Sequence, residues 1–147
     1  MVVNLIAALV ETAGYCMLMN VPRRLLVSAS VGGMIGWGAY LFLKGSISNV
    51  FYLLVLVGMI TAAYSEAAAK IARAPATIFL IPGLIPLVPG GFVYYAMLAL
   101  TRDDFAGMRH YALLTAQWAV GLAAGISFVA VTRQVAQRLS RMHSRAN

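Results

Sequence analysis

The chain has 147 residues, of which 62% are hydrophobic and 10% are charged, and its formal net charge is +7. It is far more apolar than a soluble domain, so lipid is the predicted solvent for most of the chain, and no room is left for a water-soluble domain. The basic residues stand at the ends of apolar runs and in a short C-terminal tail, which favours membrane orientation over nucleic-acid binding.

Five apolar segments follow one another, and each is long enough to predict a helix that crosses the membrane. They are residues 2–19, 25–43, 50–69, 76–100 and 111–132. The sequence therefore predicts an all-α integral membrane protein, with a single transmembrane domain of about five helices over residues 1–132 and a basic cytoplasmic tail over residues 133–147. In the tail, Val135, Leu139 and Met142 share a helical face among arginines, as expected of a helix that runs out into lipid headgroups.

The distribution of lysine and arginine between alternate loops predicts the orientation, because these charges resist translocation. Eight fall on one side, at Arg23, Arg24, Lys70, Arg73, Arg133, Arg138, Arg141 and Arg145, and three on the other, at Lys44, Arg102 and Arg109. The N-terminus is therefore predicted outside and the C-terminus in the cytoplasm. If residues 76–100 formed a re-entrant loop instead, the count would be six against five, so the bias favours five crossings.

The fourth segment is interrupted by three prolines and three glycines, which are Pro82, Gly83, Pro86, Pro89, Gly90 and Gly91. Because proline removes a backbone donor and breaks the helical ladder, two half-helices are predicted on either side of an opened loop at residues 82–91, near the bilayer midplane. Unwound backbone at that depth is tolerated only where protein buries it or where it lines a watery cavity. A proline-kinked helix that merely accommodates its neighbours is the alternative.

An opened loop of this kind is typical of solute sites in transporters. Carbonyl groups released at the break can accept hydrogen bonds, and the second half-helix, which starts near Gly91, points free N–H groups and a positive dipole at the centre. The positive end of this helix dipole would favour binding of an anionic carboxylate. The six proline and glycine positions are therefore the predicted substrate-binding residues.

Two ionisable residues, Glu66 and Lys70, stand one helical turn apart toward the end of the third segment. A carboxylate within a crossing can carry a coupling proton, so this pair is the candidate for proton coupling. The alternative is a salt bridge at the cytoplasmic interface with Lys70 extended toward water. Glu11 lies deeper in its segment but is isolated, and Cys16, the single cysteine, is predicted to be a small core residue.

Small residues recur every four positions in two segments, as Ser28, Gly32 and Gly36 in the second and as Gln117, Gly121 and Gly125 in the fifth. Such stripes let helix backbones approach closely in lipid and predict packing seams. The sequence contains no phosphate-binding loop, HExxH motif or paired His and Cys ligands, so neither an enzyme nor a cofactor is predicted.

The stretch Ile81–Gly91 (IPGLIPLVPGG), together with the upstream RAPAT at residues 73–77 and Asn20-Val21-Pro22, resembles the threonine/serine exporter family over nearly the whole chain. More narrowly, it is similar to the short, YjjB-like subunit of the split exporters. The resemblance implies half of a secondary transporter in the bacterial inner membrane, assembled as a hetero-oligomer with a larger, YjjP-like subunit whose His/Arg motif is absent here. It implies export of small carboxylates: threonine and serine, or dicarboxylates such as succinate. A non-transporting scaffold for a partner transporter is the alternative.

Overall fold

A computed structural model describes the backbone of residues 2–146 and the side chains of residues 2–136 and 138. Its helices in chain order are α1 (Val2–Leu18), α2 (Arg23–Leu43), α3 (Val50–Ala72), α4 (Thr77–Leu84), α5 (Gly90–Thr101) and α6 (Phe105–Ala146), with a 3₁₀ turn (Ile85–Leu87) between α4 and α5. No strand occurs over residues 2–146. The all-α prediction is confirmed.

Short connections reverse the chain between helices. Asn20, Arg73 and Asp103 each adopt a left-handed backbone conformation, with φ of 55°, 50° and 58°, at or just after the end of a helix. Asn49 caps the start of α3, because its side chain accepts a hydrogen bond from the amide of Phe51 at 3.0 Å. Polar residues therefore end the apolar segments, as the sequence predicts.

The first three helices pack as antiparallel neighbours through the glycines of α2. A Cβ atom on Gly36 would lie 2.8 Å from Thr61 Oγ1, and one on Gly32 would lie 3.1 Å from the ring of Tyr64. The Tyr64 hydroxyl donates to the carbonyl oxygen of Ser28 at 2.7 Å. The small-residue stripe of the second segment is thus a packing seam, as predicted.

Helices α3 and α6 also approach through glycine, but they run in the same direction. Gly121 lies against Phe51 and Leu54, and a Cβ atom on Gly58 would lie 2.8 Å from the carbonyl oxygen of Leu122. Further along both helices, the side chains of Glu66 and Arg133 meet. The contacting positions increase together along both helices, so α3 and α6 are parallel. The chain that connects the end of α3 to the start of α6 must therefore return to the end of the bundle where α3 begins.

That return is made by α4, the 3₁₀ turn and α5. Phe79 of α4 is fully buried beside Cys16 and Ala68, while Leu87 of the turn is buried beside Leu53 near the start of α3. Helix α5 then packs against α6 alone among the described elements. The rings of Phe92 and Trp118 lie 5.5 Å apart, and those of Tyr95 and Tyr111 lie 5.4 Å apart.

By length and composition, three helices are able to cross a membrane: α2, α3 and residues 105–136 of α6. The pair Thr77–Leu87 and Gly90–Thr101, which is bent by 47°, adds a fourth if it is one span. Helix α1 has 17 residues, somewhat fewer than the roughly 20 that span a bilayer without tilt. The count of five crossings stays a prediction.

The core and the last helix complete the fold. Cys16 is fully buried in the core, as predicted.

Helix α6 begins at Phe105 and continues as backbone to Ala146, so the basic tail extends the last helix. The shared face expected for Val135, Leu139 and Met142 lies outside the described residues, because the side chains at 139 and 142 are not among them.

The α3–α6 seam gives the first testable prediction. In Gly125→Leu, the new Cβ would lie 2.9 Å from the amide nitrogen of Met59 and press on α3 backbone, so the helices must separate. We expect a loss of about 1–3 kcal/mol in the free energy of unfolding, measured by SDS titration in mixed micelles. Gly14→Leu is the matched control, since nothing lies within 4 Å of its Cβ position. An equal loss in both variants would contradict the seam.

Candidate functional site

The helix break occupies residues 85–89, inside the predicted range. Pro82 continues the helix of α4, and the amide of Ile85 reaches back to the carbonyl oxygen of Pro82. The chain then tightens into the 3₁₀ turn and becomes extended at Val88, where ψ is 129°. Since Pro86 and Pro89 have no N–H, the regular ladder cannot continue through this point.

At the start of α5, backbone amides come free. The amide of Gly90 donates to the carbonyl oxygen of Val88 at 2.8 Å, and that of Val93 donates to Pro89 at 3.2 Å. Between them, the amides of Gly91 and Phe92 have no backbone acceptor among the described residues. Free N–H groups in a first turn attract an anion. Of the predicted glycines Gly90 and Gly91 at the start of α5, Gly91 is therefore the one that offers a free amide.

The predicted proline and glycine positions divide into two sets. Pro82 and Gly83 are buried, and a Cβ atom on Gly83 would lie 3.5 Å from Thr61 Cγ2 and from the carbonyl carbon of Gly32. Pro86, Pro89 and Gly91 line a cavity of about 160 Å³, and Gly90 is exposed beside it. The first set packs the bundle and the second faces open space.

Aromatic rings form much of that cavity's wall. It is completed by Trp37, Phe92, Tyr95 and Trp118, together with Val88. Tyr40 stands behind it, with its ring 5.1 Å from that of Trp37 and 5.3 Å from that of Trp118. Sequence reasoning missed these aromatic residues, because nothing in the pattern of an apolar segment distinguishes a cavity-lining ring from one that faces lipid.

A second cavity, of about 250 Å³, adjoins the first and shares Trp37 and Pro86 with it. Asn4 and Glu11 of α1 also line it. Glu11, which appears isolated in sequence, therefore lies beside the helix break.

A third and larger cavity lies between α3 and α6, with a volume of about 670 Å³. It contains both proton-coupling candidates, Glu66 and Lys70, and Arg133 of α6. Glu66 Oε1 accepts a hydrogen bond from the Arg133 guanidinium at 2.7 Å, and Glu66 Oε2 is buried without a hydrogen-bond partner among the side chains that the structure describes. Among the described side chains, Glu66 thus pairs with Arg133 and not with Lys70.

Metal binding finds no support at these sites. Over the described residues, no group of three or more His, Cys, Asp or Glu side chains is placed to hold a metal ion.

A family model described as "Threonine/Serine exporter, ThrE" matches residues 4–132. The chain belongs to the threonine/serine exporter family. The match extends from the first turn of α1 into α6 and includes the helix break, Glu66 and Lys70. No solved structure matches the chain. As a member of this exporter family, with long apolar helices, the chain is a multi-pass membrane protein of the transporter class and not an enzyme.

Arg133, the partner of Glu66, lies just outside the range that the family model matches. The residue stands one position beyond the matched range, and the sequence indicated only that it begins the basic tail. Its contact with Glu66 depends on the parallel register of α3 and α6, which hydropathy does not report.

The Glu66–Arg133 ion pair gives the second prediction. The Arg133 side chain is 41% exposed and that of Glu66 20% exposed, so we expect a coupling of about 1 kcal/mol, not the larger value of a buried pair. A double-mutant cycle with Glu66→Gln and Arg133→Gln, read by SDS unfolding, measures it. The matched cycle with Lys70→Gln should be additive to within about 0.5 kcal/mol. Coupling to Lys70 instead of Arg133 would contradict the geometry.

Proposed function

We propose that the chain is a subunit of a secondary transporter that exports a small carboxylate-bearing metabolite across the bacterial inner membrane. The candidates are threonine and serine, or dicarboxylates such as succinate. The observation that carries the proposal is the broken helix α4–α5, whose free amides at Gly91 and Phe92 adjoin an aromatic-walled cavity, in a chain of the threonine/serine exporter family.

The proposed topology has five crossings, with the N-terminus outside and the C-terminus in the cytoplasm. Its support is the parallel register of α3 and α6, since α4, the 3₁₀ turn and α5 then return the chain across the bundle as one broken crossing. A re-entrant loop would bring the chain back to the end where it started. Helix α1 supplies the fifth crossing, and a modest thinning of the bilayer accommodates its 17 residues.

The substrate carboxylate is proposed to bind at the start of α5. The amides of Gly91 and Phe92 and the dipole of this helix favour an anion there. Gly91 has no side chain, and nothing lies within 4 Å of its Cβ position, so a ligand can approach the backbone closely. Pro86 and Pro89 shape the cavity that receives the rest of the molecule.

Proton coupling is proposed for Glu66, with Lys70 beside it. The carboxylate lies within a membrane helix and lines the largest of the three cavities, and one of its oxygens has no hydrogen-bond partner in the described part of the chain. An ionisable group in this setting is by default a candidate for ion coupling.

A partner chain is proposed as well, of the larger, YjjP-like type. Of the elements that the structure describes, helix α5 packs against α6 alone, and its apolar side chains Val93, Tyr94, Met97 and Leu100 are exposed. A hetero-oligomer would cover such a surface with protein, and lipid would cover the remainder of the bundle.

A scaffold without transport activity is the second candidate. It is favoured by Pro82 and Gly83, which pack between α2 and α3 in the manner of a structural kink. A scaffold of this type needs no access to the cavity at Pro86, Pro89 and Gly91.

Gly91→Leu separates the two candidates. The leucine has room without backbone clash, but it fills the cavity of about 160 Å³ at the free amides, so export should be abolished while membrane insertion and protein level stay normal. The measurement is efflux of threonine, serine and succinate from cells that lack their own exporters and express the chain with its partner subunit. Gly45→Leu is the matched control, because Gly45 also has an open Cβ position. Full export by Gly91→Leu would refute the site.

A further inference from the structure

The cavity between α3 and α6 is a groove on the outside of the bundle, and most of its wall is apolar. Glycine holds the two backbones in contact up to Gly125. Beyond that point the groove has a volume of about 670 Å³, which is typical of sites that hold a small molecule. Apart from Thr132 and the charged residues, its lining consists of Ala63, Ala67, Phe128, Val129 and Ala136. Ala63, Ala67 and Phe128 are exposed, so the groove opens away from the bundle, toward lipid.

The charged residues of the groove lie toward the end of α3. Lys70 belongs to the last turn of that helix, and Arg133 directly follows the apolar segment of α6 that ends at residue 132. Glu66 is the third charged residue of the lining. Two cations and one carboxylate give the groove a net charge of +1. The groove is therefore apolar at depth and cationic where the two helices approach the membrane surface.

Both cations keep donors for a ligand. Arg133 donates from Nη1 to Glu66 Oε1, yet its side chain is still 41% exposed. Because a guanidinium has five N–H donors, others remain available. Lys70 is exposed and forms no ion pair with any side chain that the structure describes. An anionic group at this end of the groove would thus meet two cations, while the opposing carboxylate is already paired.

The width of the groove limits what can lie in it. The helices touch at Gly125, and about two turns later the Glu66–Arg133 ion pair bridges them again at 2.7 Å. A third helix, about 10 Å across with its side chains, cannot enter between helices that are joined at both points. A single extended hydrocarbon chain is narrow enough to lie along the alanines of α3.

We propose that this groove binds one anionic phospholipid. Its phosphate is held by Lys70 and by the free N–H groups of Arg133, and an acyl chain follows the apolar wall between α3 and α6. The two parts of such a lipid have the same order across the membrane as the two parts of the groove. Basic pockets between transmembrane helices recognise anionic headgroups in this manner. The proposal goes beyond solute transport and depends neither on the substrate nor on the helix break.

The experiment is equilibrium binding of lipid to the purified full chain in detergent, with bound lipid counted by native mass spectrometry. Phosphatidylglycerol and phosphatidylcholine with identical acyl chains differ only in the headgroup, and soluble glycerol phosphate supplies the phosphate without the chains. We expect phosphatidylglycerol to bind about fivefold more tightly than phosphatidylcholine, the factor expected for one basic residue at the membrane surface. Glycerol phosphate should not bind at the same concentrations.

Charge variants test the headgroup site. Lys70→Gln should remove most of the preference for phosphatidylglycerol, and Lys70→Arg should keep it, because arginine also pairs with phosphate. Glu66→Gln should raise the affinity for phosphatidylglycerol about fivefold, since it frees Arg133 and adds one unit of net positive charge. A gain of this kind cannot come from misfolding. Lys44→Gln is the matched control, because it removes a lysine outside the groove and should bind as the wild type does.

Ala67→Phe tests the acyl-chain site, because the ring fills the groove without changing its charge. It should lower the affinity for both lipids at least about fourfold, the factor that one buried methylene group contributes. Ala124→Phe is the matched control, since Ala124 is an exposed residue of α6 that does not line the groove.

Four results would each overturn the proposal: equal binding of the two lipids, an equal effect of Lys70→Gln and Lys44→Gln, glycerol phosphate that binds as tightly as the lipid, or wild-type lipid binding by Ala67→Phe. No substrate is present in the assay. Failure of the proposed export function would therefore leave the lipid result unchanged, and failure of lipid binding would leave the export function standing.

Discussion

In the interior of a bilayer, each backbone N–H and carbonyl group must find its partner within the protein, and this constraint governs the rest of the fold. Pro82, Pro86 and Pro89 remove three donors from one apolar segment. The chain accommodates the first inside α4 and gives way at the other two, with a 3₁₀ turn followed by extended backbone at Val88. The amides of Gly91 and Phe92, which have no backbone acceptor among the described residues, lie beside a cavity where a solute or water can accept from them.

A second constraint is the close approach of α3 and α6 through glycine. Gly58, Gly121 and Gly125 let the two backbones meet in parallel, and this register brings Glu66 to Arg133 further along. It also forces the connection between the two helices to return across the bundle. The α3–α6 seam of small residues therefore requires the connection to cross the bundle, and it also brings together the residues of the cavity that Glu66, Lys70 and Arg133 line. This cavity and the one at the helix break lie in different parts of the bundle.

Much of the fold could be predicted from the sequence because its signals are local. Apolar runs predicted an all-helical chain, which the structure confirms, and the prolines predicted an interruption in the segment that the structure divides into α4 and α5. The ion pair between Glu66 and Arg133 could not be predicted, because the two residues are 67 positions apart and no local pattern reports which helices are neighbours. Glu11 appeared isolated for the same reason, since Pro86, with which it lines a cavity, belongs to the distant 3₁₀ turn. Sequence also could not show that the Gly91 amide is free while the Gly90 amide donates to the carbonyl oxygen of Val88, because this depends on the backbone geometry at Val88.

The proposed transport site requires that the main chain at the start of α5 faces water from within the membrane protein. Cysteine accessibility tests it most directly: Cys16, the single native cysteine, is buried and can be replaced by alanine, and one new cysteine is then introduced at Gly91. A charged, membrane-impermeant thiol reagent should label Gly91→Cys in intact membranes, and threonine should slow the labelling. Val27→Cys is the control, because Val27 is an apolar residue of α2 that is 71% exposed on the outside of the bundle and should stay unlabelled. If Gly91→Cys is as unreactive as Val27→Cys, the break faces lipid or packed protein and the account is wrong.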